Sequence, residues 1–249
     1  MRTARARATG FTLVELLVVV AIIGLLVGIL VPVVKTAIDS GQNAASMARI
    51  IELGDGCYIF KNETGFYPGQ QNFDVLKGSG GAYTGSQVLA ASLFGCSLAD
   101  LVSAGKEPPM SGKYAPIKIN DLDKFYTGSS WATKYTNELG TILDRFTDGP
   151  MAVLYYPSRL NAGSTDASNL YAYDDNSVYV ARLYDDYCEA QDKEEGYSQS
   201  TYTNEMRELL YGEGYAATPE MTVKNPGGFL VIGAGKDRLY MTSDDLVFP

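Results

Sequence analysis

Gly10-Phe11-Thr12-Leu13-Val14-Glu15-Leu16-Leu17-Val18-Val19-Val20-Ala21-Ile22-Ile23-Gly24-Leu25-Leu26 opens an apolar run that continues to Val34, broken only by Thr12, Glu15, Gly24, Gly28 and Pro32. As a helix, residues 11–34 span roughly 36 Å, enough to cross a hydrocarbon core of about 30 Å. Arg2, Arg5 and Arg7 precede the run and Lys35 follows it. This basic excess places residues 1–10 in the cytoplasm and the chain after Lys35 outside. A secretory signal peptide has a shorter apolar region and a small-residue cleavage site behind it, which this run lacks. A simple anchor fits the hydropathy but leaves Glu15 unexplained, since a carboxylate in a spanning helix costs about 2.5–3.5 kcal/mol, less near the interface.

Read as a string, Gly10 to Leu26 resembles the class III signal of type IV pilins and type II secretion pseudopilins. The resemblance implies cleavage after Gly10 by a prepilin peptidase, which also methylates the new N-terminal Phe11. Glu15 falls at the family's glutamate, and Gly24 and Pro32 at its helix glycine and helix-loosening proline. Cleavage frees an α-amine that is charged at neutral pH. The family's glutamate is held to pair with that amine on a neighbouring subunit, so Glu15 would set axial register in a filament. Loss of residues 1–10 removes three arginines from a chain whose net charge is already −9.

From Lys35 to about Phe60 the pattern stays helical, with Ile38, Ala45, Met47, Ile50, Ile51, Gly54 and Tyr58 on one face and Asp39, Gln42, Arg49 and Glu52 elsewhere. Pro32 predicts a kink or melting point between a membrane half (11–34) and an amphipathic half (35–60) that packs on a sheet. The alternative is two helices with a short break. Cys57, Cys96 and Cys188 lack metal-type spacing. They allow at most one intrachain bridge in any of three pairings, or three free thiols.

Beyond residue 61 the chain reads as a globular domain extending to residue 249. Val88 to Leu101 is expected to be a short helix, Met151 to Tyr156 a strand, Ser177 to Leu183 a strand, Thr203 to Tyr211 a helix and Phe229 to Ile232 a strand. Residues 157–220 form an acidic, tyrosine-rich insertion, with Asp166, Asp174, Asp175, Asp185, Asp186, Asp192, Glu194 and Glu195 among Tyr171, Tyr173, Tyr179, Tyr184, Tyr187, Tyr197 and Tyr202. A solvated charged face is the default reading. The sharper one is a tyrosine surface for neighbouring subunits or carbohydrate.

The acidic loop at 233–246 carries Asp237, Asp244 and Asp245 within nine residues. Calcium takes six to eight oxygens, which such a loop can contribute to, although the spacing is not that of an EF-hand. Gly235, Asp237, Thr242, Asp244, Asp245 and Leu246 resemble the C-terminal loop of major type II pseudopilins, and the resemblance implies a Ca²⁺ site at Asp237, Asp244 and Asp245. Arg238 stands where that family usually has glycine, and Met241 replaces its glycine before threonine. The ion-free alternative pairs Arg238 with Asp244 or Asp245.

The chain has no histidine, which removes the commonest general base and every Ser-His-Asp arrangement, so an enzyme is not expected. An acidic chain lacks the basic stripe that nucleic acid requires. The expected fold is α+β, with a long N-terminal helix on a small antiparallel sheet. The resemblance implies a structural subunit of a type II secretion pseudopilus, an inner-membrane protein with a periplasmic domain. Its implied partners are copies of itself in a helical filament, the prepilin peptidase/methyltransferase, the inner-membrane assembly platform and minor pseudopilins. The alternatives are a type IV pilus subunit, another exported protein with a class III leader, and a membrane-tethered glycan-binding domain.

Overall fold

The computed structural model describes residues 12–71, 73–97, 110–126, 131–136, 138–147, 149–159, 171–190, 198–211, 228–240 and 242–248. The architecture is α+β. Helix α1 (Leu13–Thr64) has 52 residues, runs through Pro32, and ends four residues beyond the expected boundary. Neither a break nor two helices is found. The Pro32 ring has no N–H for the Gly28 carbonyl, and Thr36 donates its hydroxyl to the Pro32 carbonyl at 3.1 Å.

The chain divides into a unit ending at Gly41 and a unit starting at Gln42. In the first, every apolar side chain from Leu13 to Ile38 is exposed. In the second, α1 buries Ser46, Arg49, Ile50, Leu53, Gly54, Gly56 and Cys57, a stripe at helical spacing. That stripe is rotated from the expected one: Ile38, Ile51 and Tyr58 are exposed, whereas Arg49 is buried. The reason is a partner the local pattern does not show. Arg49 Nη2 lies 2.6 Å from Asp121 Oδ2, and Asp121 also takes Arg145 at 2.8 Å. Gln42 adds a hydrogen bond to Thr147 at 2.7 Å, and Ser46 accepts the Arg145 amide at 3.0 Å.

Helix α2 (Gly85–Phe94) starts earlier and stops sooner than expected. Thr84 and Gln87 form a reciprocal capping box at its start, and Gly95, at φ +69°, turns the chain out of the helix. Leu98 and Leu101 lie outside the described residues. Strands β1 (Phe125–Tyr126) and β2 (Trp131–Ala132) form a small antiparallel pair.

The main sheet is antiparallel in the order β3-β4-β5, from β3 (Leu154–Pro157), β4 (Phe229–Gly233) and β5 (Leu246–Phe248). Tyr155 pairs with Val231, and Ile232 with Val247. Both strands expected in this region form. Successive residues alternate between two cores, as a pleat requires. Val153, Tyr155, Phe229 and Val231 join Ile50, Leu53, Cys57 of α1 and Leu89, Leu93 of α2. Gly54 on α1 leaves space for the Phe248 ring, which any Cβ there would strike.

Leu154, Tyr156, Leu230 and Ile232 face a second core built from the insertion. Here three expectations change. Ser177 to Leu183 is not a strand: α3 (Ser177–Val180) continues into a 3-10 turn at Ala181–Leu183, then α4 (Tyr184–Ala190). The β-branched valines favour a strand locally, but Tyr179, Val180 and Leu183 share one buried helical face while Val178 and Arg182 point outward. Helix α5 (Gln199–Tyr211) begins four residues before the expected start. Ser198 receives the Thr201 amide at 3.3 Å and so caps it.

Most of the described tyrosines are interior rather than a surface: Tyr171, Tyr179 and Tyr202 are fully buried, Tyr173 and Tyr187 nearly so, and Tyr184 half-buried. Each polar end that reaches a partner stabilises this arrangement. Tyr202 donates to the Val180 carbonyl at 3.0 Å, and Tyr179 bridges the Thr84 and Thr141 hydroxyls at 2.8 and 2.7 Å. Asp174, Asp185 and Asp186 face solvent, as the default reading has it, but Asp175 is buried. Asp166, Asp192, Glu194, Glu195 and Tyr197 lie outside the described residues.

Candidate functional site

Two places in the chain carry the expected functional residues, one at each end. At the first, Gly10, Phe11 and the 1–10 leader lie outside the described residues. Thr12 and Glu15 do not. Glu15 Oε2 accepts from the Thr12 amide at 2.9 Å and from the Thr12 hydroxyl at 2.8 Å, while the Glu15 amide donates to Thr12 Oγ1 at 3.2 Å. This reciprocal arrangement is a capping box, and it satisfies two donors that the start of a helix otherwise leaves open.

The expected partner of Glu15 lies in another subunit, but the Thr-x-x-Glu signature at 12–15 also provides one in its own chain. A carboxylate at a helix N-terminus also meets the positive end of the helix dipole. Glu15 therefore has local compensation for its charge before any neighbour arrives.

Residues 5–31 match a family model described as the prokaryotic N-terminal methylation motif. The match covers this N-terminal segment alone; it supports a type IV pilin-like exported subunit, and such a motif implies processing by a prepilin peptidase. Among the described residues one helix, α1, is long and apolar enough to cross a membrane. No curated protein and no solved structure matches the chain.

At the other end of the chain, β4 runs into a turn at 235–238. A Cβ on Gly235 would collide with the Asp244 carbonyl, so only glycine admits this approach, and its φ of +65° suits no other residue well. Asp244 closes the loop. Its Oδ2 accepts from the Lys236 and Asp237 amides at 2.7 and 3.1 Å, and its Oδ1 from the Thr242 hydroxyl at 2.7 Å. Asp237 Oδ1 accepts the Leu239 amide at 2.9 Å.

The Asp237 and Asp244 carboxyls lie close together. Burial, with Asp244 beside it, pushes Asp237 up, whereas for Asp244 the donors from Thr242, Asp237 and Lys236 outweigh burial and hold the carboxyl low. Asp245 follows Asp244 in the loop, and its amide donates to the Thr242 carbonyl at 3.3 Å. The structure thus unites two of the three expected ligands. Among the described residues no group of three or more Asp, Glu, Cys or His side chains is placed to hold a metal ion. Asp244, the common member of any such set, is already engaged through both oxygens by loop donors. As they stand, Asp237, Asp244 and Asp245 do not gather as one group around a common point.

Arg238 also departs from expectation. It pairs with neither Asp244 nor Asp245 but with Asp144, at 3.0 Å from Nη1 to Oδ2 and 3.3 Å from Nη2 to Oδ1. It alone of the described non-glycine residues has a positive φ, at 65°. Asp144 was missed at the sequence level because nothing in its surroundings signals a cation 94 residues away. Cys57, Cys96 and Cys188 form no disulfide, and burial raises the Cys57 thiol well above its ordinary range.

Proposed function

We propose that this chain is a structural subunit of a type II secretion pseudopilus. Residues 11–34 sit in the inner membrane with the leader in the cytoplasm, and the body from Lys35 onward lies in the periplasm. After cleavage at Gly10 and methylation of Phe11, copies stack through α1 into a filament that acts with the assembly platform and minor pseudopilins to export other proteins. The subunit holds and moves, and catalyses nothing.

The observation that carries this reading is the methylation motif at 5–31 leading directly into a helix whose first 26 described residues, Leu13 to Ile38, expose every apolar side chain. Such a surface requires lipid or identical neighbours to cover it. The C-terminal loop at 233–246 contains no cysteine and is closed by Asp244, which favours the secretion filament over a surface pilus with a disulfide-closed ending.

Intact mass of the protein from native membranes tests the processing: the expected species starts at Phe11 with one added methyl group, and one still starting at Met1 overturns the reading. Glu15→Gln tests assembly. Glutamine keeps the acceptor of the capping box but removes the charge, so the variant is expected to insert and be cleaved yet fail to crosslink into filaments in its host. Normal crosslinking would show that register comes from packing alone.

A further inference from the structure

We infer that Arg238 is an internal cation that closes the C-terminal loop onto the body, so that the loop folds without a divalent metal ion. The two roles to be filled are neutralising a buried carboxylate and gathering oxygens from separate segments. Arg238 fills both. Its guanidinium takes both carboxylate oxygens of Asp144, whose side chain is only 1% exposed. It donates from Nε to the Gly149 carbonyl at 3.2 Å, and Nη2 reaches the same oxygen. Nη1 also donates to the Gly235 carbonyl at 3.3 Å. One planar group thereby ties residues 144, 149 and 235, with the Phe146 ring 4.2 Å beneath it.

The loop's own carboxylates agree with this: Asp244 accepts from the Lys236 and Asp237 amides and the Thr242 hydroxyl, and Asp237 from the Leu239 amide. The left-handed turn at Arg238, at φ 65°, is strained for a side chain of this kind. It directs the guanidinium to Asp144 while the next two residues, Leu239 and Tyr240, enter the second core. Burial alone pushes the Asp144 carboxyl up, and Arg238 opposes that shift with the Met151 and Phe146 amides. A glycine at 238 would relieve the turn and leave Asp144 buried without its counter-ion, which is the costlier of the two.

The inference stands apart from filament assembly and is tested on the full chain in detergent, stripped with chelator. Melting is followed by near-ultraviolet circular dichroism of the tyrosines. The wild-type chain is expected to melt at the same temperature with and without millimolar calcium chloride, and calorimetric titration with calcium chloride to show no saturable heat. In chelator, Arg238→Gln and Asp144→Asn should each lower the melting temperature by roughly 6–12 °C, and the double variant by little more than either alone. Arg238→Gly should also melt lower than wild type despite its relaxed turn. A calcium-induced rise of several degrees in the wild type overturns the inference, whether or not the variants fold. So does an Arg238→Gln variant that melts with the wild type.

Discussion

The two faces of the β3-β4-β5 sheet are built from different material. One face meets aliphatic side chains of α1 and α2, with Ile50, Leu53, Leu89 and Leu93 set against Val153 and Val231. The other meets the insertion, where Tyr171, Tyr179 and Tyr202 cover Leu154, Tyr156, Leu230 and Ile232. An antiparallel sheet commonly leaves one face to water. Here that face is covered by residues whose acidic neighbours mark them, in sequence, as surface. The difference shows how an acidic segment can supply a core: tyrosine brings a large apolar ring and needs only one polar partner for its hydroxyl.

The sharpest way to break this comparison is to ask whether both faces belong to one cooperative body. Tyr202→Ala is expected to cost about 3–5 kcal/mol, comparable to Leu53→Ala at about 2–5 kcal/mol, because each opens a cavity among fully buried side chains. Each variant should shift a single thermal transition. Two separate transitions in the Tyr202→Ala variant, one unmoved, would make the insertion an appendage.

A smaller effect concerns charge on the insertion side. Burial pushes the Asp175 carboxyl up to about 6, well above the ordinary carboxylate range, in spite of Arg159 at 2.8 Å and the Gly78 amide. Since the fold favours the protonated form, its contribution to stability is complete below about pH 4 and is lost as pH rises through 6. Between pH 8 and pH 5 the wild type should therefore gain about 1–1.5 kcal/mol relative to Asp175→Asn, measured by denaturant melts at each pH. A constant difference between the two proteins would place Asp175 in its ion pair as a charged group throughout.

Tyr179→Phe keeps the ring and removes the hydroxyl that links Thr84 at the start of α2 to Thr141. A loss of about 1–2 kcal/mol is expected in chemical denaturation, and equality with wild type would mean that the two threonines satisfy each other or bind water. The least effect belongs to the acids outside this core. Asp185→Asn on exposed α4 should change stability by no more than about 0.5 kcal/mol, and a larger loss would reveal a contact made by the acidic face.

The candidate sites were legible to different depths. Glu15 and the class III pattern stand in a local string, and the capping box with Thr12 lay in the same four residues. The C-terminal loop could be located, since Gly235, Asp237 and Asp244 close it over a short span. Its cation partner could not, because Arg238 reaches Asp144, a residue with no local signal of its role.

The sequence alone sets the apolar helix from Leu13 to residue 34, the strands around residues 154 and 230, and the acidic turn after Gly233. Each rests on hydrophobic runs or turn residues that act over a few positions, where backbone sterics and solvation decide the outcome. Only the tertiary structure decided that Arg49 is buried, that Ser177 to Leu183 is helical, that the insertion's tyrosines are core, and which aspartate Arg238 holds. Burial of a charge or a phenol depends on whether a partner arrives from a distant segment. That is settled by how the whole chain packs, and no local window of residues contains it.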